Sequence, residues 1–466
     1  MEYPYGKAPF WILILMLISG LVVLITQVKP ASERPDLVLV TFAKNHYAAY
    51  QKVMPEFEKI HNVKVQLQLV QERALTNRLQ AALLAGSEVP DLVEIMNPNL
   101  GTFIRGPLDD VGFVDLTDRI KAEKLDERMV ASRFSLWSSR GHIFALPHDV
   151  HPVAMAYRSD IIEELGIDVS KIETWDDFVE MGRKVTKDLD GDGIPDRYAL
   201  DLNSDGNTIL PLLLRQRGSG LFDEQGHVLT DSEVTVDTII WYVHQLYGEN
   251  RIAFSAGWGQ PLSRAMLDGL VLFYFTPDWR TKFFEMDVPQ LKGKMKLMPM
   301  PAWKKGGCRT SSWGGTGLTI TKACKNKELA WKLAKFLYLD KEDLGERFEL
   351  LNIIPPLKEA WNLEEFKQPD PFFSNQAVGT IYAELAPQTP PEYINAYTNV
   401  TSSKMREAYL NCVTYYKKNG DNGLREYARK EVKRTADYVR RVIARNKFLN
   451  PDAPAPKVAV NERPEN

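Results

Sequence analysis

The densest set of hard oxygen ligands in the chain is the run Asp188, Asp190, Asp192 and Asp196, interleaved with Gly191 and Gly193. Acids at loop positions 1, 3, 5 and 9 with glycine at 6 match a calcium loop, and the Ile194 carbonyl would add a ligand. Ala199 stands at position 12, where an EF-hand carries a bidentate Glu, so an EF-hand proper is excluded. A structural calcium ion and a metal-free Asp/Gly turn both fit what remains, and neither is catalytic. A second concentration, His142, His148, Asp149 and His151, suggests a metal centre. It offers no helical His-x-x-x-His pair and no general base for a metal-bound water, so these groups are read as cleft hydrogen-bond partners and as hinge or surface residues. Three tryptophans lie in loop settings: Trp258 in SAGWGQ, Trp279 in TPDW and Trp313 in SSWGGTG. Aromatic faces beside Asp, Gly and Gln suit sugar recognition, since a ring packs on the apolar face of a sugar while carboxylates and amides meet its hydroxyls. Core packing is the alternative for each of them. The chain has no G-x-S-x-G, no H-E-x-x-H and no G-x-G-x-x-G after a strand, and its GGTG lacks the Lys-Ser/Thr of a phosphate loop.

Elements must position these residues. At 466 residues the chain exceeds one ordinary core, so two domains are expected. With 58 basic and 61 acidic residues, the net charge is −3, which leaves no global footprint for nucleic acid. Three cysteines, Cys308, Cys324 and Cys412, exclude a disulfide scaffold; Cys308 and Cys324 could pair or remain thiols. Ala8 to Val28 carries no charge and is about long enough for a bilayer helix. The barely basic start and the absence of a clean small-x-small site favour an uncleaved membrane anchor over a cleaved signal. Either reading places the rest of the chain outside the cytoplasmic membrane.

The segments LVLVTF (37–42), VKVQLQLV (63–70) and DLVEIM (91–96) read as strands, with helices at 47–60 and 75–84 between them. That alternation predicts a parallel sheet faced by helices, with ligand loops at the carboxyl ends of its strands. Further on, helices are expected over 175–186, 234–248 and 328–337, strands over 270–275 and 317–321, and a basic amphipathic helix over 424–447. The Pro-rich residues 450–466 read as disordered.

The ordered series FEKIHNVKVQLQLV, LQAALLAGSEVPDLVEI, IFALPHDVHPVAMAYRSDIIEELGID, TWDDF, LVLFYFTPDW, SWGGTGLTIT, ELAWKLAKFL and IIPPLKEAW resembles the extracellular solute-binding proteins of carbohydrate ABC transporters, the maltose-binding-protein-like family 1, over about residues 36–445. The resemblance implies an α/β, two-lobed periplasmic-binding-protein fold of type II with a hinge, here with an N-terminal transmembrane helix. The implied division is residues 1–35 as anchor or signal and linker, 36–150 plus 312–357 as the N-terminal lobe, 151–311 plus 358–449 as the C-terminal lobe, and 450–466 as tail. Crossings are expected near 148–152, 308–314 and 355–360.

By the same resemblance, Asn45, His46, Asn97, Asn99, Asp149, His151, Asp278 and Trp279 face ligand, and Trp313 with Gly314 lies where the chain recrosses the hinge. Trp258 joins them as an aromatic candidate. The implied protein is a monomeric receptor that closes over a carbohydrate and delivers it to ABC permease subunits, with no nucleic acid partner, no required cofactor and no catalysis. It lacks the lipid-bearing cysteine of many such receptors. The rivals are a sensor on the same fold and a tethered glycan-processing enzyme, for which Asp149 and Asp278 are the only nominated carboxylate pair.

Overall fold

The computed structural model describes residues 8–27 and 35–449. The expected tail, 450–466, and most of the expected linker lie outside them. The first helix, Ala8–Gln27, is uncharged, and its side chains from Phe10 to Ile18 are largely exposed. Among the described residues no helix is long and apolar enough to cross a membrane, so the expected transmembrane helix is not supported.

Two five-stranded sheets organise the remainder. In the first, β1 (Leu37–Thr41) lies between β2 (Val65–Leu69) and β3 (Leu92–Met96), parallel to both. The sequence alternation anticipates these three strands. It does not anticipate how the sheet is completed, because both remaining strands are antiparallel: β10 (Thr316–Ile320) pairs with β3, and the short β4 (Leu146–Pro147) pairs with β10. A sheet read as parallel is therefore mixed, its last strands arriving from distant sequence. The second sheet runs β9 (Met295–Pro299), β5 (Val153–Arg158), β8 (Val271–Pro277), β6 (Tyr198–Asp201), β7 (Ala253–Phe254). Its central strands β5 and β8 are buried at every residue, which requires cover on both faces and explains their continuous apolar runs. The edge strand β2 alternates instead, VQLQL.

Local chemistry sets the helix boundaries. Thr174 accepts from the Asp177 N–H, and the Asp177 carboxylate accepts from Thr174 N–H, a reciprocal box that starts Trp175–Val185. Trp175 is core, its indole donating to Gln216. The basic helix Leu424–Ala444 packs on Glu233–Tyr247 beneath the second sheet, with Arg425 and Arg429 paired to Glu233. All three cysteines are free thiols.

The chain passes between sheets three times. It leaves the first at β4 and enters the second at β5, so 148–152 is one crossing. It returns between β9 and β10. It leaves again after the helices Lys327–Leu339 and Lys341–Leu351, which pack on the first lobe, before Val378–Leu385, which packs on β5 and β9. The crossings run side by side: Pro152 bridges Ser312, Val153 N–H donates to the Ser311 carbonyl at 3.1 Å, and Val150 N–H to the Ile354 carbonyl at 3.0 Å. The β10 glycine Gly317 leaves room for Trp137, a fully buried ring whose atoms would lie 2.7 Å from an added Cβ. Gly317→Ala is therefore expected to destabilise the fold by about 1–3 kcal/mol through overpacking. Chemical denaturation checks this, and an unchanged midpoint would show that Trp137 can yield.

Candidate functional site

The hinge is built on a buried charge relay. His151, in the first crossing, places its Nε2 3.1 Å from Asp149 Oδ2 and its Nδ1 2.7 Å from Asp278 Oδ1. Asp149 Oδ2 also accepts from Thr316 N–H, at the start of β10, at 2.9 Å. Asp278, the first residue of the helix Asp278–Asp287 that follows β8, accepts from Ile354 N–H of the third crossing at 2.7 Å. All three crossings thus meet on two carboxylates and one imidazole. The buried Arg133 guanidinium donates to the Asp149 carbonyl and to the Gly314 carbonyl, each at 3.1 Å. Gly314 sits at φ +110°, and a Cβ there would lie 2.9 Å from the His151 ring, so geometry and space both demand glycine.

Burial alone would strip the proton from His151, but Asp149 and Asp278 outweigh it and hold its pKa up at about 10. Burial likewise pushes Asp149 up, yet His151 and His148 pull it well below the carboxylate range. The relay is a charged imidazolium between carboxylates.

A second buried cluster adjoins it. Glu94, in the middle of β3 and fully buried, accepts from Tyr338 (2.6 Å), Thr41 (2.5 Å) and Tyr50, with His46 Nδ1 at 3.2 Å. His46 and Tyr50 reach it together because they stand four residues apart on the helix Lys44–His61. Burial raises the Glu94 carboxyl, but His46 and the hydrogen bonds overcome it and set its pKa at about 2. The His148 ring lies 4.1 Å from that of His46; burial, then the His46 charge, push it down to about 4.

On the second lobe the three tryptophans expected in loops converge, although Trp279 is the second residue of the helix Asp278–Asp287 rather than a loop residue, because the Pro277 that ends β8 leads straight into that helix. The Trp279 and Trp313 rings are 5.7 Å apart, Trp258 is 6.2 Å from the first and 6.3 Å from the second, and the Trp279 indole donates to the Trp313 carbonyl. The buried Arg280 guanidinium lies 5.0 Å from the Trp258 ring, 5.3 Å from that of Trp313 and 5.1 Å from that of Phe284. Trp258 is 59% exposed. It borders a cavity of about 380 Å³ at the carboxyl ends of β6 and β7, which Asp201, Asn203, Asp205, Arg280 and Trp313 also line. Burial raises the Asp201 carboxyl, against the pull of Arg280. A larger groove of about 660 Å³, bordered by Ser135, Arg140, Glu224 and Tyr393, contains none of the tryptophans. One strap spans the lobes: the Glu392 carboxylate accepts from Asn97 (3.2 Å) on the first and Arg215 (3.1 Å) on the second, while its N–H donates to Ser135.

The expected ligand residues divide accordingly. Trp258, Trp279 and Trp313 come together, and Trp258 and Trp313 line an open cavity while Trp279 packs against them. Asn45 is exposed at the mouth of the first lobe, its side chain accepting from the His46 N–H. Asn97 and Asn99 follow β3 and donate to Glu392 and Glu72. His46, Asp149, His151 and Asp278 are buried, His46 turned to Glu94 and His148 and the other three to one another and to backbone. The imidazole of His151 fills the gap between Asp149 and Asp278, so that pair cannot flank a scissile bond here. The Asp188 loop is exposed; Asp188, Asp190 and Asp196 bring oxygens within 4.8 Å of one another, and they, with Asp192, accept loop N–H groups, while the Ile194 N–H donates to Asp192. Sequence reasoning passes over Arg133, Arg280, Glu392 and Glu94. Only Glu94 carries a local signal, one acid inside an otherwise apolar strand.

A family model described as bacterial extracellular solute-binding protein matches residues 43–343. An arabinooligosaccharide-binding protein of Halalkalibacterium halodurans is 27% identical over 345 residues, 72% of this chain and 75% of the relative. One of the same description from Bacillus subtilis is 24% identical over 82% of this chain and 89% of its own length. Among solved structures, the sugar-binding protein MalE from Xanthomonas citri superposes with a TM-score of 0.69 at 17% identity, covering 87% of this chain and 98% of that one, which shows a common two-lobed fold.

The relay makes stability depend on pH. Between about 6.5, the ordinary histidine value, and about 10 the folded chain keeps a His151 proton that the unfolded chain has lost, so stability falls as pH rises through that window. On the acid side the folded chain holds fewer protons, on His148 down to about 4 and on Glu94 down to about 2, so stability falls as pH drops from about 6.5. The unfolding midpoint is expected to peak near pH 6.5. Asp278→Asn should lower stability by about 3–5 kcal/mol and flatten the alkaline limb. A midpoint that is level on the alkaline side in the unsubstituted chain would refute a protonated His151.

Proposed function

The chain belongs to the bacterial extracellular solute-binding proteins, and on that premise we propose that it is an extracytoplasmic carbohydrate receptor whose lobes close over a sugar. The observation that carries the reading is the pair Trp258 and Trp313 on a cavity edged by Asp201, Asn203, Asp205 and Arg280, with Trp279 packed against both rings. Aromatic faces take the C–H face of a sugar ring, and the carboxylates and amide take its hydroxyls. The relatives described as arabinooligosaccharide-binding proteins support an oligosaccharide as ligand. No step needs covalent chemistry: ligand shifts an open–closed equilibrium because only the closed form offers it both lobes. The closed monomer then docks on the membrane subunits of an ABC importer. Retention at the membrane by the uncharged N-terminal stretch is the finer part of the reading and is supported by sequence alone.

The test is thermal unfolding against mono- and oligosaccharides, arabinooligosaccharides included. A sugar at 100 times its dissociation constant adds about 2.7 kcal/mol, a readily visible rise in midpoint. A flat response across the panel would overturn the carbohydrate reading. Trp258→Ala should weaken binding of the responding sugar by about 2 kcal/mol, roughly 30-fold, and leave the ligand-free midpoint unchanged because the ring is exposed.

A further inference from the structure

The cluster around Glu94 holds more ligand atoms than its hydrogen bonds explain. One ring nitrogen each from His46 and His148 and one Glu94 oxygen lie within 4.8 Å of one another, all three residues buried. The His46 Nδ1 to Glu94 Oε2 distance, 3.2 Å, is close to the separation of two ligands that bind one tetrahedral ion at about 2.0–2.1 Å each. A proton shared by His46 and Glu94 would account for that edge alone. It would not account for His148, which is 4% exposed and whose Nε2 has no hydrogen-bond partner.

The surroundings are those of a metal-bound imidazole. His148 Nδ1 faces Asp149 Oδ2 at 3.3 Å, which fixes the tautomer and leaves the Nε2 lone pair free. The Tyr50 and Tyr338 hydroxyls hold Glu94 by its other oxygen, while Oε2 accepts from the Thr41 hydroxyl and faces His46 with its remaining lone pair. The Asp188 loop differs on each count, being exposed, all-oxygen and already engaged with its own backbone.

We propose that His46, Glu94 and His148 form a binding site for a divalent transition-metal ion of the zinc class at the root of the hinge. Two imidazoles and one carboxylate are the donor set of zinc and cobalt rather than of calcium or magnesium. The ion ties the start of the helix Lys44–His61 and β3 to the first crossing, and this holds whichever solute occupies the cleft.

The full chain, stripped with chelator and dialysed, is titrated with Co²⁺ as an optical probe and then with Zn²⁺. One equivalent of Co²⁺ is expected to give the ligand-field absorption of a low-coordinate nitrogen and oxygen site, to be displaced by Zn²⁺, and Zn²⁺ to raise the unfolding midpoint. His46→Gln and His148→Gln should lose both responses, whereas Asp190→Asn in the exposed loop keeps them. Should a histidine variant fail to fold, the histidine ring NMR signals of the unsubstituted chain decide. Zn²⁺ must shift His46 and His148 and leave the exposed pairs of His142, His227 and His244 unmoved. No Co²⁺ absorption, absorption that survives both substitutions, or shifts confined to the exposed histidines would overturn the proposal. A sugar response that persists in the metal-free chain would separate its failure from that of the receptor reading.

Discussion

The hinge depends on one buried imidazolium. His151 is in contact with Asp149 of its own crossing and with Asp278 at the end of β8, and those carboxylates in turn hold the backbones of the second and third crossings. Removing water from three charges is expensive, and the arrangement persists because Asp149 Oδ2 and both Asp278 oxygens accept hydrogen bonds, while the Arg133 guanidinium lies 3.6 Å from the remaining Asp149 oxygen. What results is directional. The three crossings are registered through a few fixed atoms, which opposes their sliding past one another. His151 itself adopts φ +53°, a left-handed conformation that a non-glycine residue takes only when its surroundings determine it.

From that fixed centre the two halves of the proposed binding site diverge in character. The first lobe presents short amide side chains, Asn45, Asn97 and Asn99, above a buried acid. The second presents tryptophans stiffened from beneath by Arg280, whose guanidinium contacts Trp258, Trp313 and Phe284 and donates to the Phe275 carbonyl. A cation held in that position fixes ring orientation before any ligand arrives, and pre-oriented rings lose little entropy on binding.

How much of this was legible in sequence follows from the range of each signal. Alternation and capping are local, so β1 to β3, Trp175–Val185 and Glu233–Tyr247 could be read within a few residues. Trp258 and Trp313 were legible as loop residues for the same reason, since Gly beside an aromatic marks a turn, whereas the Pro-Asp before Trp279 opens a helix and not a turn. The antiparallel β10 and β4, and the roles of Asp149, His151 and Asp278, depend on partners more than 100 residues away. A carboxylate beside a cleft and one inside a hinge look alike in sequence; only the placement of His151 between them distinguishes the two. Arg133 and Glu392 had no local mark at all, because their partners Gly314, Asn97 and Arg215 come from other segments.

The strap at Glu392 sets how firmly the lobes are held in this conformation. Its contacts to Asn97 and Arg215 are largely shielded from water, the Arg215 and Glu392 side chains being 11% and 20% exposed, so breaking them leaves a desolvated guanidinium and amide that need new partners. Such a contact behaves as a detent: it marks a preferred angle of the lobes without locking it. On the proposed reading, a ligand rich in hydroxyls would compete with Glu392 for the same amide and guanidinium donors, so that the resting angle yields as the ligand re-pairs the groups it displaces.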